Sequence, residues 1–460
     1  MQLVAYGAQD VYLTGTPKVT FFQAVYKRHT NFAMELIQQT TSGTVGNASR
    51  VSVTIARNGD LVGNMHVALQ PLAPNGTTLA LTSTNAAFDM NWVAERAISA
   101  VELTIGGQRI DKHYQTWWRL YAELFLNESD KIAWGKMTSM SNPNTTQTSV
   151  PKVYLPLLFF FNRNPGLYLP LIALQYHEVR LDFDLTQYYA SYFGSSSAFE
   201  VWANYIYLDT EERRRFAQKG HEYLIEQLQH TGGDALVSST NQEGAVQTVR
   251  LTFNHPVKEL IWCYQNPTST AQQSTQLNGM WNFCSSTSNV NVTCDPSKVA
   301  LSGTVHPHVV GAPQLFVPGN FAAGSNVVVA FSANAFWVEE GTQLATTATN
   351  YGNEVGPLHL FKVVLNGQDR FKEQAGKYFN QVQPFYHHTG TPYPGIYTYS
   401  FALQPEEHQP TGTCNFSRID NASLSVQLKS SVATTTQKMF AVNYNVLRIA
   451  SGMGGLAFSN

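Results

Sequence analysis

"PGLYLPLIALQ" (Pro165–Gln175) and "PGIYTYSFALQ" (Pro394–Gln404) are nearly one phrase written twice. Pro, Gly, Tyr, Ala, Leu and Gln recur in place, and the third position changes only from Leu to Ile. No residue in the phrase is an obvious catalytic group. Pro-Gly suits the two central positions of a type II turn, where Pro presets φ and Gly accepts φ > 0. The phrase therefore predicts a corner leading into a strand, with Tyr168 and Tyr397 placed alike just beyond it. A folding corner that occurs twice predicts a fold that occurs twice.

Two further pairs follow in the same order. "VELTIGGQRIDK" (Val101–Lys112) answers "FKVVLNGQDRFK" (Phe361–Lys372), each a strand, a Gly-Gln turn and a basic residue. More weakly, "ELIQQT" (Glu35–Thr40) answers "EQLQHT" (Glu226–Thr231). A repeat near 200 residues is too long for a solenoid or a propeller blade, so the chain reads as two tandem copies of one domain. Period-two alternation in "VRLDFDL" (Val179–Leu185), "VRLTF" (Val249–Phe253) and "LSVQL" (Leu424–Leu428) marks half-buried antiparallel strands. Gly, Asn, Pro, Ser and Thr clusters separate them. The best helix signal is Asp111–Asn127, where Tyr114, Trp117, Trp118, Tyr121 and Phe125 recur at three- and four-residue steps; Asp111 is its expected cap. The fold class is all-β with short helical crossovers, leaving a sandwich, a barrel and a jelly roll open for each domain. The predicted boundaries are an arm over 1–25, a first domain over 26–213, a connector over 214–222 and a second domain over 223–460. Long polar loops occupy about 268–350.

Composition excludes several functions. The 460 residues are 43% hydrophobic and only 13% charged, about half the usual charged share, which favours buried subunit contacts. The net charge is −2, and the densest cluster, "EERRRF" (Glu211–Phe216), mixes signs. No basic surface for nucleic acid is therefore expected. The longest apolar run, "YLPLLFFF" (Tyr154–Phe161), falls far short of the roughly 20 residues that span a bilayer. "MQLVAYGAQD" lacks the character of a signal peptide, which predicts a soluble chain made in the cytosol. Cys263, Cys284, Cys294 and Cys414 contain no CxxC pair; reduced thiols are expected, with one disulfide left open.

Candidate chemistry is sparse. His306-Pro307-His308 has the His-x-His of metal-binding cupins, but no carboxylate follows before Glu339, so it is read as a loop. His387 and His388 would point to opposite faces if extended, and His113, His177 and His255 are read as packing or surface residues. Asp182 and Asp184 are expected on a solvated strand face. No phosphate loop, G-x-S-x-G elbow or HExxH occurs. The expectation is no catalytic residue, no metal and no cofactor. Asn-x-Ser/Thr triplets begin at Asn47, Asn75, Asn127, Asn144, Asn291, Asn415 and Asn421. Asn75, Asn144 and Asn291 have loop-like contexts that would admit a glycan.

The opening "LVAYGAQDVYLTGTPKVTFFQAVYKRHTNFAMELIQQT" (Leu3–Thr40) resembles the start of major capsid proteins of large icosahedral double-stranded DNA viruses, closest to the algal-virus branch. "IGGQRIDKHY", "PLLFFFNRNPGLYLPLIALQYHEV", "LNGQDRF", "GTCNFSRIDNASL" and "NYNVLRIASGMGGLAF" extend the resemblance over both halves. It implies two tandem eight-stranded jelly rolls, and a homotrimer forming a capsomer of pseudo-sixfold outline that tiles the icosahedral virion shell. The implied partners are neighbouring capsomers and minor capsid proteins on the inner face, with no direct nucleic acid and the inner viral membrane met only indirectly. Assembly in the host cytoplasm, surface glycosylation by a route that ignores the triplet, and no enzymatic activity are implied as well. The alternative weighed against it is a glycan-binding jelly-roll spike or lectin.

Overall fold

The computed structural model describes residue 22 and residues 26–71, 92–138, 152–187, 189–193, 199–236, 246–265, 291–292, 327–328, 356–392, 395–429 and 435–458. The first half contributes β1 (Phe32–Gln39), β2 (Thr41–Ser42), β3 (Arg50–Thr54), β4 (Leu61–Leu69), β5 (Ile98–Ile105), β6 (Gln108–Tyr114), β7 (Val153–Pro156), β8 (Leu169–Pro170), β9 (Val179–Leu185) and β10 (Phe199–Leu208). The second contributes β11 (His221–Leu236), β12 (Gln247–Leu251), β13 (Pro256–Gln265), β14 (Asn291–Val292), β15 (Val327–Val328) and β16 (Leu358–Leu365). After these come β17 (Gln368–Asp369), β18 (Gln374–Ala375), β19 (Ile396–Ser400), β20 (Cys414–Asn415), β21 (Ala422–Leu428), β22 (Thr435–Ala450) and β23 (Met453–Leu456).

Each half is a pair of packed antiparallel sheets, and the two halves use one strand order. In the first, β1-β10-β4-β7 faces β2-β3-β9-β5-β6; in the second, β11-β22-β13-β19 faces β12-β21-β16-β17. Late strands return beside early ones in both halves, β10 beside β1 and β9 beside β3, then β22 beside β11 and β21 beside β12, which is the jelly-roll connection, so the chain is a double jelly roll. Alternation directs the packing. In β21, "ASLSVQL", Ala422, Leu424, Val426 and Leu428 are buried and the residues between them are half-buried. In β9, Val179, Leu181, Phe183 and Leu185 are buried.

The repeated phrase enters the same place in both halves. Ile172 N–H donates to Asp60 O (3.2 Å) and Phe401 N–H donates to Lys258 O (2.8 Å), each just at the start of β4 and β13. The Pro-Gly corner itself differs. Gly395 takes φ +96°, as a type II turn requires. Pro165–Leu167 instead forms a 3-10 turn whose Gly166 N–H is capped by Asn164 Oδ1 at 2.9 Å. The backbone bond of a β-turn is still made, Leu167 N–H donating to Asn164 O (3.0 Å), and the Asn side chain adds an acceptor for Gly166 N–H.

The second pairing is a hairpin in both halves. Ile105 pairs Gln108, and Leu365 pairs Gln368. The central residues Gly106 and Gly107, and Asn366 and Gly367, all have positive φ, the requirement of a type I′ turn. The third pairing lands in corresponding strands but turned over. Glu35 lies opposite Tyr205, a residue of the first core, whereas Glu226 lies opposite Tyr444 on the outward face of its sheet. A one-residue offset reverses every side chain of a strand.

The helix signal needs a correction. The helix spans Gln115–Phe125, and Asp111 belongs to β6. Its buried carboxylate accepts from Leu228 N–H (3.0 Å) and Lys112 N–H (2.9 Å). Those bonds hold the chain extended through Tyr114, so Asp111 caps nothing. Glu211–Phe216 lies on an exposed helix, Thr210–Gln218, whose N-cap is Asp209. Among the described residues no helix is long and apolar enough to cross a membrane.

Candidate functional site: the seam between the halves

The outer face of β11-β22-β13-β19 is not left to solvent. Register places Leu228 and His230 of β11, Val442, Phe440 and Lys438 of β22, and Ile261 and Cys263 of β13 on that face. The β6 strand and the Gln115–Phe125 helix lie across it. Tyr114 meets the His230 ring at 4.8 Å and Trp117 meets Phe440 at 5.9 Å, while His230 stacks on Phe440 at 4.4 Å. Lys438 Nζ donates to Thr116 Oγ1 (3.2 Å). Leu228, Ile261, Cys263, Ile396, Phe440 and Val442 therefore join the first half's own apolar core. The second half keeps a separate inner core around Trp262, Phe361, Phe379 and Tyr397.

Two ionic clusters stand on this seam. Arg163 of the first half and Lys258 of the second both reach Glu226, at 2.9 and 2.5 Å. Burial opposes the charge on Glu226, but the two cations outweigh it and hold the carboxyl below its ordinary range. His388 forms the second cluster, with Nε2 3.1 Å from Glu259 and Nδ1 3.1 Å from Glu406. Burial alone would lower its pKa; the two carboxylates reverse that and raise it to about 9. The Phe125 ring packs edge-on against His388 at 5.3 Å. Just beyond, Gly390 N–H donates to Leu124 O (2.9 Å) and Lys131 Nζ to Thr391 O (2.7 Å). A Cβ at Gly390 would collide with the carbonyls of Glu123, Leu124 and Leu126, so glycine permits this approach. At the opposite end of the seam His177 Nδ1 lies 2.9 Å from Gly454 O, and Tyr176 N–H donates to Gly452 O (3.0 Å).

Between the two clusters lies a cavity of about 380 Å³ lined from both halves, by Tyr121, Phe125 and Arg163 on one side and Glu226, Glu406 and His408 on the other. Inside the first half, Arg119 sits 3.4 Å from Glu95 and 3.3 Å from Glu123, with Trp92 3.9 Å beneath its guanidinium. Burial raises the Glu95 pKa, opposed by Arg119. These two carboxylates are sealed from solvent and serve packing.

The sequence candidates are distributed as follows. His113 is buried, 2.9 Å from Asp111 and stacked on Phe159 at 4.4 Å. His255 is buried, with φ +64°. Asp182 is buried rather than solvated: Ser52 (2.5 Å), Arg180 (2.8 Å) and Arg50 (3.5 Å) converge on it, while Asp184 stays half-exposed beside Arg50. Cys263 and Cys414 carry free thiols, and burial pushes Cys263 up to about 12. Asn75, Asn144, His306, His308, Cys284 and Cys294 lie outside the described residues. Asn291 opens the short strand β14, paired with Val328. Asn47, Asn127 and Asn415 spend their side-chain oxygens on backbone N–H groups of Ala190, Asp130 and Ser417. Sequence reasoning missed His388. Pro384, at the first turn of the helix Gln383–His387, was the available sign that this stretch is not extended.

A family model described as large eukaryotic DNA virus major capsid protein matches residues 212–455, and one described as major capsid protein N-terminus matches residues 20–209. The chain belongs to the large eukaryotic DNA virus major capsid proteins. This capsid protein is 42% identical to the major capsid protein of Paramecium bursaria Chlorella virus 1, over 100% of the chain and 99% of the relative. It is 41% identical, with the same coverage, to the major capsid protein of Phaeocystis pouchetii virus. A chain from the quasi-atomic model of the PBCV-1 virus capsid superposes with TM-score 0.70 at 38% identity, covering 96% of this chain and 100% of that one. The Faustovirus major capsid protein shares the fold, with TM-score 0.65 at 13% identity over 97% and 94% of the two chains. The glycan-binding alternative draws no support from these likenesses.

Proposed function

We propose that this chain is the structural brick of a virion shell, acting as a homotrimer whose six jelly rolls form a pseudo-hexameric capsomer. In this reading the modules are residues 26–213 and 223–460, joined through 214–222, with the arm 1–25 on the inner side beside minor capsid proteins. Neighbouring capsomers tile the icosahedral surface, the protein makes no direct contact with nucleic acid, and assembly takes place in the host cytoplasm. The loops over 268–350 face outward, and Asn75, Asn144 and Asn291 are the positions offered for glycans. The role is mechanical rather than catalytic. The observation that carries it is the pairing of two jelly rolls of one strand order, face against crossover, in a chain matched end to end by capsid proteins. Solution mass tests it. A stable species near 153 kDa, three times the 51.1 kDa chain, is expected; a chain that stays monomeric at micromolar concentration overturns it.

A further inference from the structure

Between the Glu226 and His388 clusters the two halves stand apart around the cavity of about 380 Å³. A cavity of about 150 Å³ is enough to take up benzene. This one therefore has room for a ring with substituents, and it falls within the size range of small-molecule sites. Its walls divide by chemistry. Tyr121 and Phe125, stacked on one another at 4.9 Å and 12°, make an aromatic wall that Phe160 and Leu167 extend. Across from them stand Glu226 and Glu406, with His408 half-exposed beside them. Arg163 lines the cavity as well. Its Nη2 is spent on Glu226 at 2.9 Å, but its Nε is buried and has no hydrogen-bond partner among the described residues.

A guanidinium N–H buried without an acceptor carries a desolvation cost that folded proteins seldom leave standing. A ligand that brings an acceptor to Nε removes it. The charges around the cavity decide what kind of ligand that is. Three cations, Arg163, Lys258 and His388, face three carboxylates, Glu226, Glu259 and Glu406, and every carboxylate already has its counter-charge. An ion of either sign entering this balanced group would leave one charge uncompensated, a cost that a neutral molecule escapes. The aromatic wall favours a flat apolar body. We propose that the cavity binds a small uncharged molecule carrying an aromatic ring and a carbonyl or hydroxyl oxygen. The ring lies against Tyr121, Phe125 and Leu167, and the oxygen accepts from Arg163 Nε. Both halves line the site, so its occupant fastens one to the other, and binding to the folded chain alone raises stability. The site belongs to a single chain and does not depend on the capsomer reading.

The experiment uses the full chain with carbon-labelled leucine methyl groups, titrated at neutral pH with four probes of similar size: benzamide, benzoate, benzylammonium and toluene. The Leu167 methyl resonances report entry into the cavity, and the thermal midpoint reports the fastening of the halves. Benzamide is expected to shift those resonances saturably, to raise the midpoint, and to bind about tenfold more tightly than toluene, which lacks the acceptor. Benzoate and benzylammonium are expected to bind at least about tenfold more weakly than benzamide. Arg163→Lys keeps the positive charge and removes Nε, so it should bring benzamide down to the affinity of toluene and leave toluene unchanged. Where circular dichroism shows that this variant fails to fold, the four-probe comparison on the unaltered chain decides by itself. No saturable shift with any probe means a cavity that holds water and nothing else, which overturns the proposal. So does a preference for either ion, toluene binding as tightly as benzamide, or benzamide binding without moving the Leu167 methyls.

Discussion

Strands β4 and β13 hold the same place in their sheets, yet their burial differs. β13, "PVKELIWCYQ", is buried at every position after Pro256, because its inner side faces the Trp262 core and its outer side faces the first half. β4, "LVGNMHVAL", leaves Asn64 exposed and His66 half-exposed on its outer side. β11 and β1 differ in the same sense: His221–Thr231 is sealed at its centre, while Phe32–Leu36 is exposed throughout. Strand order alone does not decide what a sheet can do. The neighbour laid across it does, and the outward residues record that neighbour.

The largest effects test how separate the two cores are. Trp118 is buried in the first core, with its indole N–H donating to Pro156 O at 3.1 Å, and Trp262 is buried in the second, stacked on Phe361 at 4.4 Å. Replacing either with Ala should cost about 3–5 kcal/mol. The outcomes should differ in form. The first core continues through the seam, so Trp118→Ala should lower the whole calorimetric transition, whereas Trp262→Ala should detach a lower-melting second half. Identical single transitions for both would show that the division into cores has no energetic meaning.

Next comes the His388 cluster, which has no equivalent on the exposed face. Its folded pKa, about 9, lies above the ordinary histidine value near 6.5. Its contribution is therefore complete below about pH 6.5 and is lost as pH rises through about 9, when a neutral ring leaves Glu259 buried without a counter-charge. Denaturant melts should lose on the order of 3 kcal/mol between pH 6 and pH 10 by this group. His388→Ala should flatten that part of the profile; an unchanged slope would remove His388 from the account.

The smallest effects compare the two hairpins. A Cβ at Gly367 (φ +77°) meets nothing within 4 Å, so Gly367→Ala should cost only the left-handed backbone penalty, about 1–2 kcal/mol. At Gly106 (φ +57°) a Cβ also collides with the His177 ring, which holds Gly454 of the other half. Gly106→Ala should therefore cost more than Gly367→Ala in chemical denaturation, and equal costs would mean that the His177 contact adds nothing.

Much of this was legible in the residues. The Pro-Gly phrases and the two Gly-Gln hairpins mark corresponding corners because turn chemistry is local and leaves few residue choices. Face assignments were less legible: "ELIQQT" and "EQLQHT" look alike, but which side of a strand is buried depends on a partner remote in sequence. The same is true of Asp111, whose extended backbone is held by Leu228, and of Asp182, buried by Arg50 and Arg180 from two strands. His388 was hidden for a related reason, since Glu259 and Glu406 lie 129 residues before it and 18 after it.

The shared core at the seam also sets an order of events during synthesis. Tyr114 and Trp117 leave the ribosome long before Phe440, which packs against both. At about 5–20 residues per second, that interval lasts on the order of ten seconds to a minute. Throughout it, a nascent first half displays an aromatic face that still awaits its cover.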